Sequence, residues 1–126
     1  MYYDISVEYA NMKTNYHAYY NDTEKTIVLS SKLLNSSEAE EVVESLLHEV
    51  FHAYQCCLSM MYRSLDPQKK DLKIFEEIAQ YSEEFEQYVQ GEDNFTEYYG
   101  QKVEADARIY AQKNKEFVIV CWEPDI

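Results

Sequence analysis

The run His48-Glu49-Val50-Phe51-His52 constrains the fold of this chain more than any other feature of its sequence. It lies within a segment of helix-forming residues, and residues four apart on a helix lie on one face, one turn above the other. Two imidazoles at this spacing can bind one zinc ion. The Glu between them, about 100° round the helix, can reach a water on the open side of the metal. The motif therefore predicts a long helix and hydrolysis by a metal-activated water.

The N-terminal part of the chain has the pattern of β-strands. Residues 2–10 and 15–20 carry β-favouring aromatic residues with partial alternation. The polar residues 21–25 predict a turn, and the apolar run at 26–30 predicts the returning strand of a hairpin, leading directly into the motif helix. We therefore expect antiparallel strands before the motif, in an α+β fold where strands precede helices.

Three helices are expected after the strands. The first has a capping box formed by Ser37 and Glu40 and runs to about residue 62. The second begins at Asp66-Pro67, where Asp caps the helix and Pro occupies its first turn. It ends at Gly91 and carries one apolar stripe. The chain has only two Gly and two Pro, which favours helices and short loops.

The last third of the chain is predicted to hold one more helix and a short strand. The helix covers roughly residues 101–114, and the β-branched run at 117–122 predicts a last strand, although a buried helix end also fits it. The acidic residues at 83–86 are interpreted as the solvent-exposed face of the second helix. A length of 126 residues predicts one domain over residues 1–126.

The formal net charge of −13 limits the partners of this acidic protein. Few cations are available to neutralise phosphates, so we expect no nucleic acid and no anionic membrane surface as a partner. The charge favours basic partners or substrates, although a solvated acidic surface explains it as well.

The location of the protein is predicted from its N-terminus and its cysteines. The start Met1-Tyr2-Tyr3-Asp4 has no basic or apolar run, so we expect no signal peptide, and no segment reaches transmembrane length. The odd set Cys56, Cys57 and Cys121 suits a reducing compartment. These features together predict a cytoplasmic protein.

A catalytic zinc takes three protein ligands, and the motif supplies two of them. The remaining histidine, His17, lies in a predicted strand, so the third ligand should be a carboxylate from another helix. Glu76 and Glu77 on the second helix and Glu104 on the third are the candidates. We favour Glu104, because alanines three and seven positions further on allow close approach of the backbone. Glu76 stays open as an alternative, since it is flanked by apolar residues at helical spacing.

Two strings of the sequence, His48–Gln55 (HEVFHAYQ) and Gln101–Ala111 (QKVEADARIYA), resemble small zincin-type metallopeptidases. The resemblance is to compact gluzincin-like domains, and more loosely to the ImmA/IrrE group. It implies a zinc ion held by His48, His52 and Glu104.

The resemblance also implies a mechanism, in which zinc activates a water and Glu49 acts as general base and then passes the proton to the leaving amine. Tyr98 or Tyr99 would help to stabilise the oxyanion. Large gluzincins have an Asp four residues after the ligand Glu, whereas this chain has Arg there, so Asp106 is the candidate for supporting the ligands. Gln55, one turn beyond the second histidine, is expected to bond to backbone or to the Glu104 helix, although an exposed polar residue fits equally.

Three roles are compatible with the sequence. The first is a zinc-dependent peptidase acting on a protein or peptide, which a strand edge beside the motif helix could take up by β-augmentation. The alternative is a catalytically weak or inactive zincin-like module with a regulatory or protein-binding role. A purely structural helical domain is the third possibility, and it requires a protein free of metal.

Overall fold

A computed structural model describes residues 4–12, 17–36 and 38–122, with the side chains of all of these except 36 and 119–122. Three parts of the sequence predictions lie outside the described residues. They are the first residues of both N-terminal strands and the cap residue Ser37.

The chain divides into two compact units. The first unit consists of Met1–Ala53 with Ala107–Ile126, and the second is Tyr54–Asp106. A single domain over the whole chain stays a prediction.

The first unit contains a three-stranded sheet in the order β1-β3-β2. Strands β2 (Ala18–Asn21) and β3 (Thr26–Ser30) pair antiparallel, which confirms the predicted hairpin. The turn between them is closed by a hydrogen bond from Glu24 N–H to Asn21 Oδ1, 3.1 Å long. Strand β1 (Ser6–Ala10) instead pairs parallel with β3. The prediction of antiparallel strands is therefore wrong for β1, because alternation of side chains along a strand is the same in parallel and antiparallel pairs and does not specify direction.

The core of the first unit lies against the central strand. All five residues of β3 are buried, and Ile27 and Leu29 form a cluster with Leu33. Leu33 belongs to α1 (Ser31–Ser36), a short helix between β3 and the motif helix that the sequence predictions missed. Side chains of the motif helix that pack against this cluster are Val42, Leu46 and Val50.

The motif helix is α2 (Ala39–Arg63), close to the predicted bounds. The second predicted helix is divided into α3 (Pro67–Lys70), a 3-10 turn at Lys73–Phe75 and α4 (Glu76–Glu86). The division occurs because Leu72 has an extended backbone (ψ 135°). Gln87 (φ −123°) ends α4 before Gly91. A further short helix, α5 (Phe95–Gly100), begins at Asn94, whose side chain accepts from Glu97 N–H.

The last helix, α6 (Lys102–Trp122), continues through the residues predicted as a strand, so the prediction of a short C-terminal strand is wrong. β-Propensity differs between residues by only about 1 kcal/mol, and tertiary contacts override it. Such contacts hold α6 to α2 within the first unit. Lys115 pairs with Glu40 and Glu44 at 3.0 and 3.2 Å. The rings of Phe51 and Tyr110 lie 4.8 Å apart. Among the described helices, none is long and apolar enough to cross a membrane.

Candidate metal centre

Helix α2 places the two motif histidines side by side. His48 and His52 are one helical turn apart, and their Nε2 atoms are separated by 3.1 Å. The ring centroids are 4.7 Å apart, and the rings are nearly perpendicular, at 82°. Residues two positions apart are rotated by about 200° on a helix. The histidines therefore lie on the side of α2 opposite to Leu46 and Val50, which pack on the sheet.

The distance between the two imidazole nitrogens fits a zinc ion. Tetrahedral zinc with Zn–N bonds of about 2.0–2.1 Å places two ligand nitrogens about 3.3 Å apart. The observed 3.1 Å is close to this value. The ligand atoms of His48, Glu49 and His52 all lie within 4.8 Å of one another. In the described part of the chain, no other three His, Cys, Asp or Glu side chains form such a group.

The carboxylate of Glu49 belongs to the same cluster and is withdrawn from water. Glu49 is 7% exposed and His52 9%, whereas His48 is half-buried. A charged carboxylate is costly to bury unless other groups interact with it. A buried Glu beside two imidazoles is suited to binding a cation or to exchanging a proton with a water.

The three carboxylates predicted as candidates for the third metal ligand lie in the second unit, and they differ in burial. Glu104, in the first turn of α6, is 1% exposed. Its Oε2 accepts a hydrogen bond from the Tyr88 hydroxyl at 3.0 Å. Glu76 and Glu77 are exposed, and Glu77 forms an ion pair with Lys102 at 3.5 Å. Glu104 is therefore the only buried member of this set, and its role as a ligand stays a prediction.

The start of α6 is held by contacts of three residues that the sequence predictions did not assign to the site. They are Glu84, Tyr88 and Gln101. The carboxylate of Glu84 accepts hydrogen bonds from the backbone N–H groups of Lys102 and Val103, at 3.0 and 2.8 Å. Glu84 is half-buried, so the interpretation of residues 83–86 as a wholly solvent-exposed face is wrong at this position. The side chain of Gln101 pairs with both backbone groups of Val89. No signal in the sequence indicates these contacts, or that of Tyr88 with Glu104, because they join residues 12 to 19 positions apart.

Gln55 and Asp106, predicted to support the ligands, both contact neighbours within the second unit. Gln55 is completely buried and donates a hydrogen bond to the backbone carbonyl of Val103 at 3.1 Å. Asp106 accepts a hydrogen bond from the Tyr81 hydroxyl and pairs with Lys102 Nζ at 3.1 Å. Both residues therefore contact the first turn of α6. Their support of metal ligands stays a prediction.

The contacts of Asp106 change the pKa values of its partners. Burial raises the pKa of the Tyr81 hydroxyl, and the hydrogen bond to Asp106 raises it further. The same carboxylate raises the pKa of Lys102 through a hydrogen bond. Both protons are therefore held more firmly than in an unfolded chain.

Tyr98 and Tyr99, the candidates for stabilising an oxyanion, lie on α5. The ring of Tyr98 packs edge-on against Tyr88, with centroids 6.2 Å apart. Tyr99 is 50% exposed, and its ring lies 5.8 Å from that of Phe95. Both rings therefore belong to a cluster of aromatic side chains, and a catalytic role for either hydroxyl stays a prediction.

The sequence matches the model of the SprT-like family over residues 3–90, which is more than half of the chain. The matched residues include the motif at 48–52 and end before Glu104. No curated protein and no solved structure shows a significant match to the chain.

Proposed function

Since the chain belongs to the SprT-like family, we propose that it is a zinc-dependent peptidase with Glu49 as general base. The observation that carries the proposal is the pair of imidazole nitrogens 3.1 Å apart, with the Glu49 carboxylate in the same cluster. This arrangement combines two proposed metal ligands and a proton acceptor on consecutive turns of one helix.

The proposed ligands are His48, His52 and Glu104. The imidazoles bind as neutral rings, so each must carry its proton on Nδ1 when Nε2 faces the metal. Glu104 is proposed as the third ligand because its carboxylate is buried, unlike those of Glu76 and Glu77. The next residues on the same face of α6 are Ala107 and Ala111, which are buried and small. Small residues on this face allow the α6 backbone to approach a neighbouring helix closely, as the proposal requires.

The chemistry is divided between the metal and one side chain. When bound, zinc supplies a Lewis acid that makes water acidic enough to lose a proton near neutral pH. The Glu49 carboxylate takes that proton and delivers it to the amine that leaves. Burial of Glu49 keeps the proton transfer away from bulk water.

The proposed substrate is a protein or peptide in extended form. The first unit, which contains the histidine pair, also has a sheet whose edge strands are β1 and β2. An extended peptide can add to such an edge through backbone hydrogen bonds. The net charge of −13 favours a basic substrate. A cytoplasmic location is proposed with this function.

The proposal is tested by measuring metal content and hydrolysis on the same preparations. Wild type is expected to bind one zinc ion per chain and to cleave labelled unfolded proteins, basic ones faster than acidic ones.

Glu49→Gln should keep its zinc but lose about 10²–10⁴-fold in rate, because it removes the proton acceptor. His48→Ala should lose the metal. Glu41→Gln is the matched control, because Glu41 is exposed on the same helix.

Each alternative function predicts a different result. Equal rates for wild type and Glu49→Gln would contradict the role of Glu49. Zinc binding by a wild type that cleaves none of the substrates would indicate a zincin-like regulatory or protein-binding module. Wild type without bound metal after purification without chelators would indicate a structural domain.

A further inference from the structure

The carboxylate of Glu104 receives a hydrogen bond that the sequence does not indicate. The Tyr88 hydroxyl donates to Glu104 Oε2 at 3.0 Å. Tyr88 lies beyond the end of α4, in a non-helical segment, so helical periodicity cannot place it near α6. Because Glu104 is 1% exposed, this bond acts on a carboxylate that water scarcely reaches.

Neighbouring contacts hold both partners of this bond. Gln101 accepts from the backbone N–H of Val89, next to Tyr88, at 3.0 Å, and donates to the Val89 carbonyl at 3.1 Å. Glu84 accepts from the first two amides of α6. The Tyr88 ring packs edge-on against Tyr98. The hydroxyl and the carboxylate are therefore fixed by separate contacts, and their hydrogen bond joins two ordered groups.

We propose that Tyr88 is a positioning residue whose hydrogen bond orients the Glu104 carboxylate to bind a divalent cation. The proposal rests on the proposed function, with Glu104 as third ligand. A hydroxyl that donates to a carboxylate forms a charge-assisted bond, which is stronger and more directional than a neutral one. A carboxylate has about four acceptor positions, so one such bond leaves it able to bind a metal. Hydrogen bonds of this kind to a ligand raise metal affinity by about 10–100-fold.

Zinc affinity in a double-mutant cycle tests this role. The dissociation constant for zinc is measured by competition with a chromophoric chelator for wild type, Tyr88→Phe, Glu104→Gln and the double variant. Tyr88→Phe should bind zinc about 10–100-fold more weakly. In the Glu104→Gln background the same substitution should have no further effect, because Tyr88 acts through that carboxylate. Tyr62→Phe is the control, since Tyr62 is also half-buried in the second unit.

Replacing zinc by Co²⁺ adds a readout that a purely structural role would leave unchanged. The visible spectrum of bound Co²⁺ reports the geometry of its ligands. It should change in Tyr88→Phe and not in Tyr62→Phe.

Zinc affinity and Co²⁺ spectrum equal to wild type in Tyr88→Phe would overturn the role of Tyr88 while leaving the proposed function standing. Equal losses of affinity from Tyr88→Phe with and without Glu104 would also overturn it. A wild type that binds no zinc would overturn both proposals.

Discussion

The histidine pair on α2 and the carboxylate of Glu104 are held in different ways. His48 and His52 come from consecutive turns of one helix, whose geometry places them on one face, and their Nε2 atoms are 3.1 Å apart. Glu104 accepts a hydrogen bond from Tyr88, 16 positions away along the chain. The start of its helix is held by contacts of Glu84 with the amides of Lys102 and Val103 and by contacts of Gln101 with Val89, which join residues 12 to 19 positions apart. The first arrangement is a property of local helix geometry, and the second depends on tertiary structure. The two should therefore respond differently to substitution.

The largest effect is expected when the Glu104 carboxylate is replaced. This substitution tests whether Glu104 and the histidine pair bind the same metal ion. Glu104→Gln should weaken zinc binding by about 100-fold or more, because losing a ligand costs more than losing a group that supports one. Glutamine keeps the size of the side chain and an oxygen that can accept from Tyr88, so the fold should be retained. The measurement is zinc competition, with thermal unfolding of the metal-free protein as a check on the fold.

Glu76→Gln is the matched control for this experiment, because the sequence also allows Glu76 as the third ligand and its side chain is exposed. It should bind zinc as wild type does. If affinity were lost in Glu76→Gln and retained in Glu104→Gln, the third ligand would lie on α4 instead of α6.

What the sequence could predict follows the same division. The helix through residues 48–52 and the hairpin of β2 with β3 depend on short-range patterns, and both were predicted. The buried face of α6 that includes Ala107 and Ala111 was also indicated by spacing. Each of these features is determined by residues within a few positions of one another.

The features that sequence reasoning missed depend on partners far along the chain. Strand β1 pairs parallel with β3, and the alternation of its own residues does not specify this direction. Residues 117–122 are helical in spite of their β-branched side chains, since α6 is already formed and held by Lys115. Glu84 resembles its exposed neighbours in sequence, and only the position of α6 gives it a structural role.

A moderate effect is expected when the contact at the start of α6 is removed. Glu84→Ala leaves two backbone N–H groups without their carboxylate and should lower the free energy of unfolding by about 2 kcal/mol, the upper end of the range for loss of an N-cap, because two donors are affected. Zinc affinity should also fall, because the first turn of α6 carries Glu104. Urea unfolding and zinc competition measure the two effects.

Glu83→Ala separates the capping contact from a general loss of negative charge, since Glu83 is exposed on the same helix. It should leave stability and zinc affinity near those of wild type. Similar losses in both variants would mean that charge, and not the hydrogen bonds of Glu84, stabilises the start of α6.

The smallest effect concerns the tyrosine that donates to Asp106 in the first turns of α6. Tyr81→Phe removes this hydrogen bond and should cost about 1 kcal/mol at neutral pH. The pKa of Tyr81 is raised, first by burial and then by Asp106, so the folded protein favours the protonated phenol. The stabilisation is therefore fully present below the pKa of an unfolded tyrosine, about 10, and is lost as pH rises above it. The difference in unfolding free energy between wild type and Tyr81→Phe should shrink from about pH 9 to about pH 11 in urea titrations. If this difference in unfolding free energy stayed constant or grew over the same pH range, the folded protein would not favour the protonated phenol of Tyr81. The contacts of Tyr81 with α6 would then depend on packing more than on the hydrogen bond to Asp106.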